Sequence, residues 1–330
     1  MRVKWKQQRL NNGCFVACLA MLLEAEGIEK EDCDIVREMS LPYILRYLPG
    51  EGRICAGASL ADEDPAITAG YLSPFGLRLR NAEHGSFGAY LAALREIRAA
   101  GKAAITSLPY SFIPSPLYCR GGGAVIPGSH AIVLHSLSAG SVSFYDPSGG
   151  LDRGREISWE EAKPFVDHVL SLPGLKAALE VRGKYLLGCL ERSSGGGDAP
   201  ARGSWLRVSL AALDGFSREC SGLAEAAASR GGNIPVPEFM TSVMGYFKPV
   251  ALDWRGALET LPGGAGGGGI IARLAVFQAF LLHEQRRLKE TGSLSPEFPE
   301  ELRAAAKEIV ARASSFLSAA LLLSQSRGDK

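Results

Sequence analysis

A glycine-rich segment divides the chain into two parts of different character. Residues Ser193–Gly203 have no hydrophobic periodicity and the composition of a flexible linker. Helical and strand patterns alternate before this segment, whereas Ala- and Leu-rich stretches without strand alternation follow it. We therefore expect an α+β domain over residues 1–192, a flexible connector over 193–203 and an all-helical domain over 204–330. With 330 residues, the chain is long enough for each domain to bury its own core.

Apolar spacing predicts two helices in the first domain. The first covers 14–26, because apolar residues recur at i, i+3, i+4 and i+7, namely Val16, Leu19, Ala20 and Leu23. Asn11 or Asn12 would cap this helix at its start and Gly27 would stop it. Cys14 then falls in the first turn. The second helix covers 87–97 and ends before Gly101.

Short β-branched and apolar runs predict the strands of one sheet. We expect a strand over 103–108, a hairpin of strands 131–137 and 142–145, and a further strand over 185–190. Ser138, Ala139 and Gly140 supply the turn of the hairpin. The first domain should therefore consist of an N-terminal helix packed on an antiparallel sheet.

Three long helices are predicted after the connector, over 206–228, 270–289 and 299–323. The most apolar stretch, 270–282, contains Arg273 and Gln278 and is shorter than the ~20 residues that span a bilayer. We expect it to be a buried helix and expect no membrane partner. The apolar faces in this half must be covered by each other, by the first domain or by a second subunit, which leaves an oligomer open.

Charge and cysteine content narrow the classes of function. Thirty-six basic and 35 acidic residues leave a net charge of +1, which argues against nucleic-acid binding. The cationic N-terminus is not followed by an uninterrupted apolar run, so we expect no secretory signal. Seven cysteines without a close C-x-x-C pair fit neither a disulfide framework nor a zinc knuckle. We expect a protein of the reducing cytoplasm.

Neither a metal nor a cofactor is expected. The five histidines have no paired spacing suited to a metal ion. Residues 264–269 match G-x-G-x-x-G, but no strand precedes them, and the segment is predicted to be a flexible loop.

The chemistry-bearing residues are a cysteine, a histidine and two further side chains. Backbone N–H groups and the helix dipole favour a thiolate at Cys14. Pairing of the hairpin about Ala139 brings His130 roughly opposite Ser148 and close to Asp146. A base and its orienting carboxylate are what a cysteine nucleophile requires. Gln7 and Gln8 are the amides available to stabilise an oxyanion.

Other cysteines and histidines in the chain have simpler interpretations. Cys18, one turn deeper in the first helix, is expected to pack in the core. By strand alternation His135 points away from the face of His130, and it is expected to be an ordinary sheet histidine with its polar atoms satisfied.

Three segments together resemble a known family. Gln8 with the run Cys14–Gly27, the run Ser-His130-Ala-Ile-Val-Leu, and Phe-Tyr-Asp146-Pro-Ser-Gly resemble the papain-like cysteine peptidases that process double-glycine leader peptides of bacteriocins, and their stand-alone relatives. The resemblance implies a papain-like domain with Cys14 as nucleophile, His130 as base, Asp146 as its orienter and Gln8 in the oxyanion hole. It departs from the family at Phe15, where a glycine is usual and a bulkier side chain would narrow the cleft.

The order of elements is also similar to butirosin-type acyltransferases, which transfer an acyl group from a carrier-protein thioester to an amine. Two enzymatic functions are therefore open: hydrolysis of a peptide or amide bond by a thiol protease, and acyl transfer through the same acyl-cysteine. The substrate would be a peptide or an acyl thioester, carried by a precursor or carrier protein. A third alternative is a non-catalytic binding module on the same fold.

A proline- and glycine-rich segment, 109–129, leads directly into His130. A span of this length without regular structure is usually functional or disordered. We expect a lid or substrate-binding loop, in which Tyr110, Phe112 and Tyr118 give apolar contact to a substrate.

The position of Cys14 makes its reactivity testable. We expect iodoacetamide to alkylate Cys14 well below pH 8 and ahead of the other six cysteines, because a helix N-terminus and an imidazole favour the thiolate. Peptide mapping after brief labelling measures the order. Labelling of Cys14 no faster than that of Cys18 would remove the case for an activated nucleophile.

Overall fold

The patterns of the first part combine into one antiparallel sheet with helices packed on it. A computed structural model describes residues 3–9, 13–41, 45–48, 53–56, 60–63, 65–115, 118, 128–149, 151, 155–193, 204–229, 231–232 and 268–326. In chain order its helices and strands are α1 (Cys14–Ala25), α2 (Asp32–Glu38), β1 (Leu45–Leu48), β2 (Arg53–Ala56), α3 (Leu60–Glu63), α4 (Pro65–Leu72), β3 (Leu77–His84), α5 (Phe87–Ala99), β4 (Ala104–Pro109), β5 (Ser129–Leu137), β6 (Ser141–Tyr145), α6 (Trp159–Val166), β7 (Asp167–Ser171), α7 (Leu172–Arg182), β8 (Tyr185–Arg192), α8 (Ser204–Ser229), α9 (Gly268–Thr291) and α10 (Phe298–Ser326).

The central sheet has six strands in the order β3-β8-β4-β5-β6-β7, and each neighbouring pair is antiparallel. The structure confirms the strands predicted over 103–108 and 185–190, which are β4 and β8, and the predicted hairpin, which is β5 and β6. Strands β3 and β7 were not predicted: β3 has an irregular burial pattern with four charged or histidine side chains, and β7 follows α6 without a turn signal.

A bulge interrupts the β5–β6 hairpin beside its turn. Val133 pairs with Tyr145 and Leu134 with Phe144, but Ser136 pairs with Ser143, so His135 is an extra residue in β5. On the side of the bulge away from the turn, the strands pair in the predicted register, centred on Ala139. Extrapolated from these pairs to the start of β5, the register puts His130 level with Ser148.

Helix α1 begins at Cys14 as predicted and ends in a turn at Gly27, whose φ is +84°. The N-cap prediction was wrong: the capping residue is Gly13, which offers no side-chain hydrogen bond, while Asn11 and Asn12 lie outside the described residues. All residues of α1 from Phe15 to Leu23 are buried. Because the helix is apolar on every side, it can pack against β5, β4 and β8.

A second layer of core forms where α5 and α7 cover the sheet. Its fully buried residues include Tyr90 and Leu94 of α5, Leu175 and Leu179 of α7, and Phe144 of β6. The predicted helix over 87–97 is thus confirmed, with Ser86 accepting a hydrogen bond from Ala89 N at its start. His130 lies at the end of β5 that pairs with Leu108, another residue of this core.

The chain divides into two compact units: Met1–Ile35 with Thr68–Ala199, and Val36–Ile67 with Pro200–Lys330. The change of unit after residue 199 falls in the predicted connector, most of which lies outside the described residues. The division differs from the expected domain 1–192 in one segment, since Val36–Ile67 belongs with the second unit. That segment consists of short elements whose four-residue strands carry no readable periodicity.

The second unit combines the three predicted helices with the β1–β2 hairpin. The elements described from residue 204 onward are all helices, as expected, but the hairpin means that the unit as a whole is not all-helical. Helices α8, α9 and α10 bury a common core that includes Phe216, Phe277, Phe298 and Leu302. Within the described residues, no helix is both long and apolar enough to cross a membrane.

Candidate active site

Cys14 is the first residue of α1 and is partly exposed. The carbonyl of Gly13 accepts the first helical hydrogen bond, from Ala17 N at 2.9 Å. Gly13 supplies no side-chain cap, and the N–H groups in the first turn of a helix point toward the end at which Cys14 lies. These groups and the positive end of the helix dipole favour a negative charge on sulfur.

His130 and Asp146 form a buried pair. The Nε2–H of His130 donates to Oδ1 of Asp146 at 2.7 Å, and the two side chains are 1% and 0% exposed. The exposures matter because water competes little for a hydrogen bond that is this deeply buried. The hairpin thus brings together the two residues that the sequence placed on neighbouring strands.

Cys14 acts on the same imidazole. Nδ1 of His130 is buried and makes no well-formed hydrogen bond in the described part of the chain. Cys14 is near enough for its charge and its thiol to raise the pKa of His130. Because Asp146 occupies Nε2, Nδ1 is the nitrogen left to exchange a proton with the sulfur. Such contacts are often long until a substrate binds.

The charges of the site favour an imidazolium. Burial by itself lowers the pKa of His130, but the Asp146 carboxylate and Cys14 outweigh it and raise the pKa to about 10. Burial raises the pKa of Asp146, but His130 and the backbone amides of Ser148 and Gly149 hold it below its ordinary value. At neutral pH an ionised Asp146 therefore faces a protonated His130.

A tight loop holds the Asp146 carboxylate. The backbone N–H of Ser148 donates to Oδ1 at 2.8 Å, and Gly149 adds a second backbone hydrogen bond. Gly149 has a φ of +54°, and a Cβ there would lie 2.7 Å from the Phe165 carbonyl oxygen. Only glycine fits this position, because both the left-handed backbone and the close approach to α6 exclude a side chain.

Gln8 lies against the same loop. Its backbone N–H donates to the Pro147 carbonyl at 2.7 Å, and the residue is 2% exposed. Gln7, the other amide considered from sequence, binds elsewhere: its Nε2 donates to the Arg155 carbonyl and its Oε1 accepts from Ile157 N. Of the two glutamines, Gln8 is therefore the one that lies beside the Asp146 loop.

Ionic contacts fix the segment that carries Gln8. Lys6 contacts Glu24 of α1 and Glu31, each at 2.9 Å, and the backbone N–H of Arg9 donates to Asp32 of α2 at 2.7 Å. These contacts join residues 3–9 to the end of α1 and the start of α2. Residues 3–9 are therefore held in place by contacts with both helices.

Two tyrosines that the sequence assigned to substrate contact lie against the His130–Asp146 pair. Tyr110 stacks on His130 with ring centroids 5.1 Å apart, and the Tyr118 hydroxyl donates to Oδ2 of Asp146 at 2.8 Å. Phe112 packs on the core under α5 and α7. Residues 116–117 and 119–127 of the expected loop 109–129 lie outside the described residues.

Three contacts with Asp146 were not predicted from the sequence. Trp5 donates from Nε1 to the Asp146 carbonyl at 2.9 Å. His168 of β7 is 5% exposed and electrostatically coupled to Asp146, while burial lowers its pKa. Tyr118 is the third. Neither a motif nor a spacing rule links these residues to Asp146, because the sheet and the loop bring them together.

The remaining candidates have structural environments. His135 contacts Asp167 at 3.2 Å and stacks on Tyr145, as expected of an ordinary sheet histidine. Cys18 is fully buried, and none of Cys14, Cys18, Cys33, Cys189 and Cys220 forms a disulfide. Cys119 lies outside the described residues.

A metal site is not found in the part of the chain that the structure describes. Its histidine, cysteine, aspartate and glutamate side chains form no cluster that could hold a metal ion. Of the 264–269 glycine motif, only Gly268 and Gly269 are described, and they form the start of α9.

No protein-family model matches the chain, and comparison with curated proteins gives no match either.

The raised pKa of His130 predicts an unusual titration. We expect its ring resonances in NMR spectra to titrate near pH 10, whereas those of His135, whose pKa is lowered by burial, titrate below 6.5 in the same sample. In Asp146→Asn the His130 midpoint should fall well below its wild-type value, because burial remains and the carboxylate charge is lost. A His130 midpoint near 6.5 in both proteins would contradict the ion pair.

The raised pKa of His130 also determines how the stability of the fold depends on pH. A pKa raised from 6.5 to about 10 stabilises the fold fully below pH 6.5, and this contribution is lost as the pH rises through 10. The depressed pKa of Asp146 acts in the opposite direction, with stabilisation lost as the pH falls through that pKa.

Gly149→Ala should damage the site through the backbone. The added Cβ overlaps Phe165 and Val166, so the Ser148 and Gly149 amides shift away from the Asp146 carboxylate. We expect a loss of about 1–3 kcal/mol beyond the left-handed backbone strain, and slower alkylation of Cys14 at pH 6. Thermal unfolding and labelling kinetics measure both.

Gly183→Ala is the matched control. Gly183 ends α7 with a φ of +73°, and nothing lies within 4 Å of a Cβ built there. It should show the backbone strain alone, of about 1 kcal/mol, with Cys14 labelling as in the wild type. Equal effects of the two substitutions on labelling would show that the loop does not support the site.

Proposed function

We propose that the protein is a cysteine-dependent hydrolase of peptide or amide bonds, built on a papain-like fold and acting in the reducing cytoplasm. The observation that carries the proposal is the buried 2.7 Å contact between His130 and Asp146, with Cys14 acting on the same imidazole. This arrangement has the parts of an activated nucleophile: a thiol, a base and a group that orients the base.

Each residue has a defined role in the proposed reaction. The Cys14 thiolate attacks the carbonyl carbon of the substrate, and the His130 imidazolium gives its proton to the leaving amine as the C–N bond breaks. Neutral His130 then takes a proton from water, whose oxygen attacks the thioester. The carboxylic acid leaves and the thiolate–imidazolium pair is restored. Asp146 holds the imidazole and stabilises its charged form.

Oxyanion stabilisation is assigned to Gln8 and the backbone N–H of Cys14. Backbone N–H groups in the first turn of a helix point toward its N-terminus, where the helix dipole also favours an anion. The hydrogen bond from the Gln8 backbone N–H to the Pro147 carbonyl, one residue from Asp146, supports this assignment. Loss of one such donor usually costs about 10²–10³-fold in rate.

Trapping of the acyl-enzyme tests the proposal directly. After incubation with panels of peptides and of acyl thioesters, intact mass should show an acyl adduct that peptide mapping assigns to Cys14. Free acid as the product means hydrolysis, whereas N-acylated product on added amines would favour the acyltransferase. Binding without any adduct or turnover would contradict the hydrolase and favour the non-catalytic binding module.

Variants of the four residues should separate their roles. Cys14→Ala should give neither adduct nor turnover, His130→Ala nearly none, and Asp146→Asn or Gln8→Ala a rate reduced by about 10²–10³-fold. Cys18→Ala, which changes a fully buried cysteine one turn along α1, is the matched control and should keep both. Full turnover in Cys14→Ala would place the chemistry elsewhere.

A further inference from the structure

The two oxygens of Asp146 have different partners. Oδ1 accepts from His130 Nε2 at 2.7 Å and from Ser148 N at 2.8 Å. Oδ2 accepts from the hydroxyl of Tyr118 at 2.8 Å. A carboxylate rotates easily about its terminal torsion, so a donor on Oδ2 helps to determine where Oδ1 points.

The segment that carries Tyr118 is fastened to the Asp146 loop at a second point. Ser115 is 1% exposed, and its hydroxyl donates to the Gly149 carbonyl at 2.9 Å. The backbone N–H of Tyr118 donates to the Ser115 carbonyl at 3.1 Å, so the two anchoring residues are bonded to each other. The phenol is therefore held at a fixed position relative to the loop.

The ring of Tyr118 is also packed in place. Its centroid lies 5.1 Å from that of Tyr110 and 6.1 Å from that of His130. Burial and the neighbouring Asp146 carboxylate raise the pKa of Tyr118 far above its ordinary value. The hydroxyl therefore keeps its proton and remains a donor throughout the working range of pH.

We propose that Tyr118 is a positioning residue: its hydroxyl holds Oδ2 of Asp146 so that Oδ1 stays directed at Nε2 of His130. This role rests on the proposed function, since it concerns the orientation of the base. Tyr118 acts on the thiol only through Asp146 and His130. It links the segment before β5 to the reactivity of Cys14.

The groups around Asp146 determine the sign of the effect. The titratable side chains that face it are His130 of β5, His168 of β7 and Tyr118, while Cys14 acts through His130. Removing the Tyr118 donor from a buried carboxylate raises the pKa of Asp146. A protonated Asp146 no longer supports the imidazolium, and the thiolate at Cys14 loses its counter-charge.

The pH dependence of Cys14 alkylation tests this role without a known substrate. In Tyr118→Phe, the acid limb of the rate profile should move up by about one pH unit, so that labelling on the limb is about tenfold slower. Tyr185→Phe is the matched control, because it removes the same hydroxyl group from a tyrosine that contacts Glu180. Its limb should coincide with that of the wild type.

A double-mutant cycle shows whether Tyr118 acts through Asp146. In an Asp146→Asn background, Tyr118→Phe should cause no further shift of the limb, because the carboxylate it positions is absent. Thermal unfolding of each variant in the same buffers confirms that folded protein is compared.

Each outcome has a distinct meaning. A Tyr118→Phe profile that coincides with the wild type, or one that Tyr185→Phe reproduces, overturns the positioning role while leaving the proposed function intact. The same holds if the shift persists in Asp146→Asn. Wild-type Cys14 that is alkylated no faster than Cys18 overturns the proposed function itself, and the positioning role with it.

Discussion

Keeping an ionised carboxylate out of water next to an imidazolium requires hydrogen bonds on every side, and this requirement explains the surroundings of the His130–Asp146 pair. Burial alone would favour the uncharged form of both groups, because it lowers the pKa of His130 and raises the pKa of Asp146. Their mutual attraction and the donors around Asp146 reverse that tendency. The charged pair in turn gives Cys14 an imidazolium as its neighbour.

Backbone structure, more than side chains, supplies those surroundings. The β5–β6 hairpin determines the separation of His130 and Asp146, and the turn through Gly149 directs two amides at the carboxylate. The segment 3–9 crosses the same loop, with Trp5 on the Asp146 carbonyl and Gln8 on that of Pro147. Small changes in this loop should therefore affect all the candidate residues together.

Local patterns predicted the elements that carry the site, but not what lies between them. The start of α1 at Cys14 and the register about Ala139 follow from helical spacing and strand alternation, which are short-range properties. Tyr118 and His168 reach Asp146 through an irregular segment and an unpredicted strand. The membership of Val36–Ile67 in the second unit depends on tertiary packing of short elements, which a sequence pattern does not encode.

The central claim, that Cys14 and His130 form a thiolate–imidazolium pair supported by Asp146, is tested most directly by titrating the thiolate itself. Ultraviolet difference absorbance of the wild type against Cys14→Ala isolates the signal of this one sulfur. The account predicts a Cys14 thiolate already present at neutral pH, and its loss at neutral pH in His130→Ala. A single transition near the ordinary thiol value of about 8.5, unchanged by His130→Ala, would contradict it.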